Sequence, residues 1–321
     1  MLYNTKSPGR PGLFAFLLLT CRMIVKSLPP VAAKALSVLL FVVVNYTVKA
    51  QLTADTLTRV SSGFVFTEGP AVNKRGDIYF TDQPRNQIWK YAIDGKLSLY
   101  MDSTGRSNGL YFDKNGNLLA CADKNNELWS ISPDKRVRIL LKAPAGLAFN
   151  GPNDLRIDPK GGIYFTDPYY QRDYWLRKQA ELPYQGVYYL ANKKSKAVLV
   201  DSMMVRPNGI VGTADGKIVY VADIGAGKTY RYRVGKQGKL TDKTLFVEQG
   251  SDGMTLDEKG NLYISGNGVT VYNPAGKQVQ FIPVPSKWVG NLCFGGARRN
   301  ILFITASESV YTIPMLVRGI E

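Results

Sequence analysis

Histidine is absent from all 321 residues. That absence removes Ser-His-Asp and Cys-His nucleophile chemistry, His-ligated zinc or iron, and the imidazole proton shuttle. Catalysis would have to run on carboxylates, Lys, Tyr or Arg, or on a metal held by oxygen. Cysteine is scarce as well: of 3, only Cys121 and Cys293 lie beyond residue 50, and two thiols so far apart cannot be paired by inspection. Nowhere after residue 51 does an apolar helical period persist long enough for an α/β alternation. There is no run of five or more like charges and no nucleic-acid motif of fixed spacing. The excess of 41 Lys+Arg over 25 Asp+Glu therefore reads as a solvated basic surface, and no nucleic-acid partner is expected.

Part of that excess belongs to the N-terminus. Residues 1–50 carry six basic side chains and no acidic one, leaving 35 against 25 in residues 51–321. Lys26 and Lys34 precede an apolar run at Leu36–Val44, and Val48-Lys49-Ala50 offers small residues for cleavage before Gln51. That order is the order of a secretory signal, and nine apolar residues are too few to span a bilayer. The expectation is an export segment over 1–50, with Met23 as an alternative start and an uncleaved anchor as the competing reading. Residues 51–321 would then form one exported domain, periplasmic or secreted, monomeric and not inserted in a membrane.

What the chain does have is repetition. AVNKRGDIYFTD (71–82), YFDKNGNLLACAD (111–123), RIDPKGGIYFTDP (156–168), VGTADGKIVYVAD (211–223) and TLDEKGNLYIS (255–265) share one design, and CFGGARRNILFITA (293–306) is a degenerate sixth copy. Each copy is a strand end, a polar turn and a second alternating strand. Gly76, Gly116, Gly161, Gly216 and Gly260 mark the turns at separations of 40, 45, 55 and 44, with Asn300 in the sixth place. Further period-2 runs, such as QIWKYAI (87–93) and TYRYRVG (229–235), follow each pair. Six units of about four strands predict an all-β, six-bladed propeller with four-stranded antiparallel blades around a central channel. A pair of β-sandwiches is the weaker alternative, because it would not need six copies in step.

In a propeller, equivalent positions at the start of the innermost strands converge on one axis. Eight residues before each turn glycine stand Glu68, Asn108, Asn153, Asn208 and Asp252, and Asn291 is the looser sixth match, nine before Asn300. A ring of carboxylates and amides aimed at one axis is the donor set of a hard cation such as Ca²⁺. Asn and Asp are also ordinary turn residues, but that explanation leaves Glu68 unaccounted for.

The segments Phe66-Thr67-Glu68-Gly69-Pro70, Pro152-Asn153-Asp154, Pro207-Asn208-Gly209 and Ser251-Asp252-Gly253-Met254 resemble the motifs of the gluconolactonase/regucalcin (senescence-marker protein) family, in order and spacing. Ile163–Pro168 is similar to its bacterial lactonase branch, and the resemblance covers roughly residues 60–315. It implies a six-bladed propeller with a divalent metal in the channel, most often Ca²⁺, with Zn²⁺, Mn²⁺ or Mg²⁺ as alternatives. By the same resemblance Glu68, Asn208 and Asp252 are metal ligands, and Asn153 reaches the metal or the substrate. Asn108 and Asn291 fall on the ring by repeat alignment only; Asn108 is taken as a substrate-side residue. The related paraoxonase-type propellers rely on histidine, so that subtype is excluded. An Arg that some animal members place two residues before the Asn153 equivalent is Gly151 here, so sugar contacts at that point do not transfer.

The reading that follows is an enzyme opening sugar lactones. The metal would polarise the lactone carbonyl, and Asp252 would act as general base towards water or as nucleophile, or would serve as a ligand alone. A phosphotriester hydrolase using the same site, and a glycan- or protein-binding propeller without catalysis, are the competing functions. The third unit carries extra residues within Asp167–Gly186, rich in aromatics and arginine (Tyr169, Tyr170, Arg172, Tyr174, Trp175, Arg177, Tyr184). These are expected either to wall the substrate, with Tyr169 and Tyr170 in contact with it, or to pack on their own blade. Asp82, Asp123, Asp167 and Asp223 end the second strands on the metal side and are expected to cap turns or support the ligands.

Overall fold

Each repeat begins with the same hairpin, and its chemistry is local. In Asn73–Asp77 the Asn73 Oδ1 accepts the backbone N–H groups of Arg75, Gly76 and Asp77. Asp113, Asp158 and Asp257 do the same work in their turns. A short acceptor side chain followed by a tight turn closes the first two strands at a fixed register. The strands that leave these turns are buried on both faces: Ile78–Asp82, Leu118–Ala122 and Ile163–Asp167 contain no exposed residue.

The computed structural model describes residues 51–143, 148–192 and 196–320. The expected export segment lies outside the described residues. The described residues form six four-stranded antiparallel sheets, five of them simple meanders. Their innermost strands are Thr67–Val72, Ser107–Phe112, Leu155–Ile157, Pro207–Gly212, Met254–Leu256 and Asn291–Gly295. Five blades run outward in chain order. The sixth takes its outermost strand, Thr58–Ser62, from the start of the domain, where it pairs with Ser309–Pro314. This closure ties the two ends of the ring together and leaves no unpaired radial gap.

The apolar residues sort into six clusters, one between each pair of neighbouring blades. Period-2 alternation is what divides them. Ile78 and Phe80 face blade six with Cys293 and Phe303, whereas Tyr79, between them, faces blade two with Leu110 and Leu118. The consecutive apolar residues of the IYFT segments are thus a signature of strands packed on both sides. Cys121 and Cys293 are buried in two different wedges.

Glycine follows four of the six ring residues, and at these points neighbouring innermost strands approach closely. A Cβ on Gly69 would lie 2.0 Å from the backbone oxygen of Asn108 and 2.7 Å from the Cα of Gly109, and its φ is +44°. Both obstacles are backbone, so no rotamer change relieves them. Gly69→Ala is therefore expected to cost about 3 kcal/mol or more, read as a fall in Tm of several degrees with the blade signature in far-UV circular dichroism retained.

Candidate active site

The ring positions meet by that same close packing. Gly69 abuts Asn108, Gly109 abuts Asn153, Gly209 abuts the Asp252 backbone, Gly253 abuts the Asn291 side chain, and Gly290 abuts the Glu68 carboxylate. In three innermost strands the register also shifts at the ring residue, between Glu68 and Ala71, between Ser107 and Leu110, and between Pro207 and Ile210. Bulges re-aim side chains, and here they sit where Glu68, Asn108 and Asn208 leave the sheet for the channel. Thr81 and Thr166 fasten neighbouring blades by donating to the backbone oxygens of Asn108 and Asn208 at 3.2 and 2.7 Å. All six ring side chains are buried or nearly so.

Asp252 is held by both oxygens. Asn208 Nδ2 donates to Oδ1 at 2.7 Å, and the indole Nε1 of Trp288 donates to Oδ2 at 2.7 Å. The amide that orients Asp252 leaves its own Oδ1 buried without a partner. A buried amide oxygen with no donor beside it is costly unless something electropositive completes it. Across the channel Glu68 accepts from the Gly69 N–H at 3.1 Å and bonds to the Asn291 side chain. Burial, and then the charge of Asp252, push the Glu68 carboxyl well above its ordinary range. Burial likewise raises Asp252 to about 6, against the opposing pull of Trp288, Asn208 and Glu68. Two neighbouring carboxyl groups largely removed from solvent share a proton or require a cation.

Among the described residues no three Asp, Glu or Cys side chains form a metal cluster. The donor set is instead mixed: two carboxylates, Glu68 and Asp252, with the amide oxygens of Asn208 and Asn153. All are hard oxygen donors, they carry two negative charges, and one of them is the orphaned Oδ1. This set fits a divalent hard cation.

The insertion in blade three does not stay on its own blade. From it, Arg172 Nε and the Tyr174 hydroxyl donate to Asp123 Oδ2 of blade two at 2.7 and 2.6 Å, beside Gln83 Nε2 at 3.0 Å. Trp175 Nε1 donates to the Asp123 backbone oxygen at 3.2 Å. On the other side Asn208 Nδ2 of blade four donates to the Tyr170 hydroxyl at 3.0 Å. The insertion therefore crosses from blade two to blade four over the ring, and Tyr170 roofs the carboxylates. Tyr169 turns back into the insertion, donating to Gln171 at 2.5 Å and lying beside Trp175 and Arg177. Asp82, Asp167 and Asp223 cap backbone N–H groups of the loops that enter the ring: Val65 and Phe66, Asn150 and Gly151, Val205 and Arg206. Asp123 departs from its three equivalents by receiving the insertion.

Residues 66–308 match the family model described as SMP-30/Gluconolactonase/LRE-like region. The chain belongs to this family. A gluconolactonase of Zymomonas mobilis is 28% identical over 285 residues, covering 79% of this chain and 80% of its own. The solved structure of XC5397 from Xanthomonas campestris, described as a gluconolactonase, superposes with a TM-score of 0.77 at 25% identity, covering 84% of this chain and 92% of its own. Diisopropyl-fluorophosphatase of Loligo vulgaris is 26% identical, over 78% of this chain and 89% of its own.

Within this family frame the structure brings Glu68, Asn108, Asn153, Asn208, Asp252 and Asn291 to one axis and sets Tyr170 above them. Two members of the site lie outside the six ring positions. Trp288 lies in the connection between blades five and six, three residues before Asn291, a place where the other copies have Val65, Gly105, Asn150, Val205 and Gln249. Asp154 stands where four copies have glycine; its buried carboxyl accepts from Leu155 N–H at 2.9 Å and is raised to about 7 by burial. The break in the glycine pattern was the available signal for Asp154.

Proposed function

We propose that this chain is an exported, metal-dependent lactonase that opens sugar lactones or related cyclic esters. The observation that carries the reading is Asp252: a buried carboxylate oriented by two donors, beside an unpartnered amide oxygen and facing Glu68. Its family membership and the gluconolactonases it resembles support the reaction class.

Glu68, Asn208, Asp252 and Asn153 would hold the ion, with Ca²⁺ favoured by the oxygen-only set. When bound, the ion would polarise the lactone carbonyl as a Lewis acid. The remaining work belongs to the chain. Asn208 and Trp288 fix the plane of the Asp252 carboxylate, so it needs no reorganisation when charge moves. Asp252 takes a proton from an attacking water as general base, or attacks the carbonyl carbon itself. In either route the ring C–O bond breaks and its oxygen leaves as a hydroxyl after gaining a proton; in the nucleophilic route a water then hydrolyses the anhydride formed with Asp252, so both routes consume one water and release a hydroxy acid. Tyr170 covers the ring from above and limits bulk water, with Asn153 and Asn108 lining the substrate side.

The diisopropyl-fluorophosphatase relative favours one second reading, in which the same carboxylate acts on a phosphorus centre. Both readings are tested by assaying δ- and γ-lactones and a fluorophosphate triester with added Ca²⁺, Mn²⁺ or Zn²⁺ and again with a chelator. Lactone opening that stops with the chelator is the expected result. Turnover of the triester alone supports the second reading, and no turnover of any ester removes the enzyme reading.

A further inference from the structure

Two arginines at the mouth of the channel are not used by the lactonase chemistry. Arg206 immediately precedes Pro207-Asn208, and its guanidinium lies 5.1 Å from the centre of the Tyr170 ring. Arg172 lies 5.5 Å from the same ring centre. Because the Tyr170 hydroxyl meets Asn208, both cations stand at the rim of the reacting site. Arg172 is anchored through Nε on Asp123, and its charge still reaches Asp252. Arg206 is exposed, and among the described residues its guanidinium has no ion pair or hydrogen bond. Its backbone is not free to drift. Asp223 accepts the N–H groups of Val205 and Arg206 at 2.9 and 2.8 Å, and Gly225 packs against the Arg206 Cβ.

A neutral sugar lactone has no use for an unpaired guanidinium on a held backbone at this place. A ligand with a negative charge away from its ester would otherwise be repelled by a channel lined with Glu68, Asp154 and Asp252. We propose that the substrate is an anionic lactone, carrying a carboxylate or comparable anion remote from the scissile ester, and that Arg206, aided by Arg172, receives that charge above Tyr170. The inference rests on the lactonase reading and narrows its substrate class. Arg206 is a specificity residue: the aromatic face beneath holds the guanidinium plane, and the fork pairs with the anion.

The test compares two lactones that differ only in one group, a ring-remote carboxylate or its isosteric carboxamide, in five- and six-membered series with the divalent metal present. Wild-type protein is expected to prefer the carboxylate in kcat/KM by about tenfold or more, and Arg206→Gln to shrink that ratio by about 10- to 100-fold. The wild-type preference should also fall as ionic strength rises. A carboxylate-to-carboxamide ratio at or below unity, or one that Arg206→Gln leaves within twofold, overturns the proposal. If neither lactone is opened, the hydrolase reading fails. The charge preference is then read separately, as the ratio of the two dissociation constants by calorimetry, with the same criteria.

Discussion

Asp252→Asn is expected to lower kcat/KM for lactone hydrolysis by about three orders of magnitude while the propeller stays folded. The substitution keeps the size and shape of the side chain and removes its charge and one acceptor. In the native site both oxygens of Asp252 are committed to donors, Asn208 Nδ2 and Trp288 Nε1. An amide can satisfy only one of them and must turn its own NH₂ towards the other, so the carboxylate plane is disturbed as well as discharged. General-base assistance is worth typically 10²–10⁴-fold, and loss of one of two balancing charges in the channel weakens the ion in addition. The loss should appear mainly in kcat with the ion supplied in excess, which separates chemistry from binding. A variant that retains more than about a tenth of wild-type kcat would show that Asp252 only holds the ion. A single turnover in ¹⁸O-labelled water divides the remaining routes. A nucleophilic Asp252 whose anhydride is hydrolysed at the enzyme carboxyl leaves the first product unlabelled and places the label on the enzyme, whereas a general base never labels the enzyme.

Much of this arrangement was legible in the residues, for a physical reason that also sets its limit. A propeller converts a period in sequence into an axis in space, so Glu68, Asn108, Asn153, Asn208 and Asp252 could be brought together by counting back from the turn glycines. Even the looser Asn291 lands on the ring, because its side chain fills the space that Gly253 leaves open. Blade order and hairpin register follow from the same repetition. Features that occur once were not legible in this way. The pairing of Thr58–Ser62 with the last blade joins segments some 250 residues apart and has no local signal. Trp288 sits in a connection unique to one blade. The insertion carried a compositional signal, aromatics with arginine, but composition left open whether it packs on its own blade or crosses the channel. Only Asp123, Arg172 and Tyr174 meeting across blades two and three decide that. Tyr169 and Tyr170 are adjacent and chemically alike, yet Tyr170 meets the ring residue Asn208 whereas Tyr169 bonds within the insertion, a difference that composition does not carry.

Chelated protein is expected to lose stability as pH rises from about 5 to 8, and a divalent ion should remove most of that loss. The sign follows from which state holds protons. Asp252 is raised to about 6, and Asp154 and Asp167 to about 7, in each case first by burial. Glu68 is raised well above its usual range by burial and by Asp252. The unfolded chain releases these protons near pH 4, whereas the folded chain keeps them into the neutral range. Folded protein therefore binds more protons across this window, and stability contributed at low pH is lost as pH passes the folded values. A tenfold difference in proton affinity between the folded and unfolded carboxyl is worth about 1.4 kcal/mol at full effect. Because the groups are coupled, a combined loss of several kcal/mol is the reasonable scale, or about 10 °C in Tm for a chain of this size. The carboxyls moved the other way, Asp77, Asp134, Asp201 and Asp215, titrate below this range and do not blur it. A divalent ion binds the deprotonated pair, so its contribution grows over the same interval in which the proton's disappears, by about 2.7 kcal/mol at a hundredfold excess over Kd. Differential scanning calorimetry at pH 5, 6, 7 and 8, with chelator and with saturating Ca²⁺, measures both slopes. A chelated Tm that is flat or rises with pH, or one that Ca²⁺ leaves unchanged at pH 8, would mean that Glu68 and Asp252 are not a paired acidic site awaiting a cation.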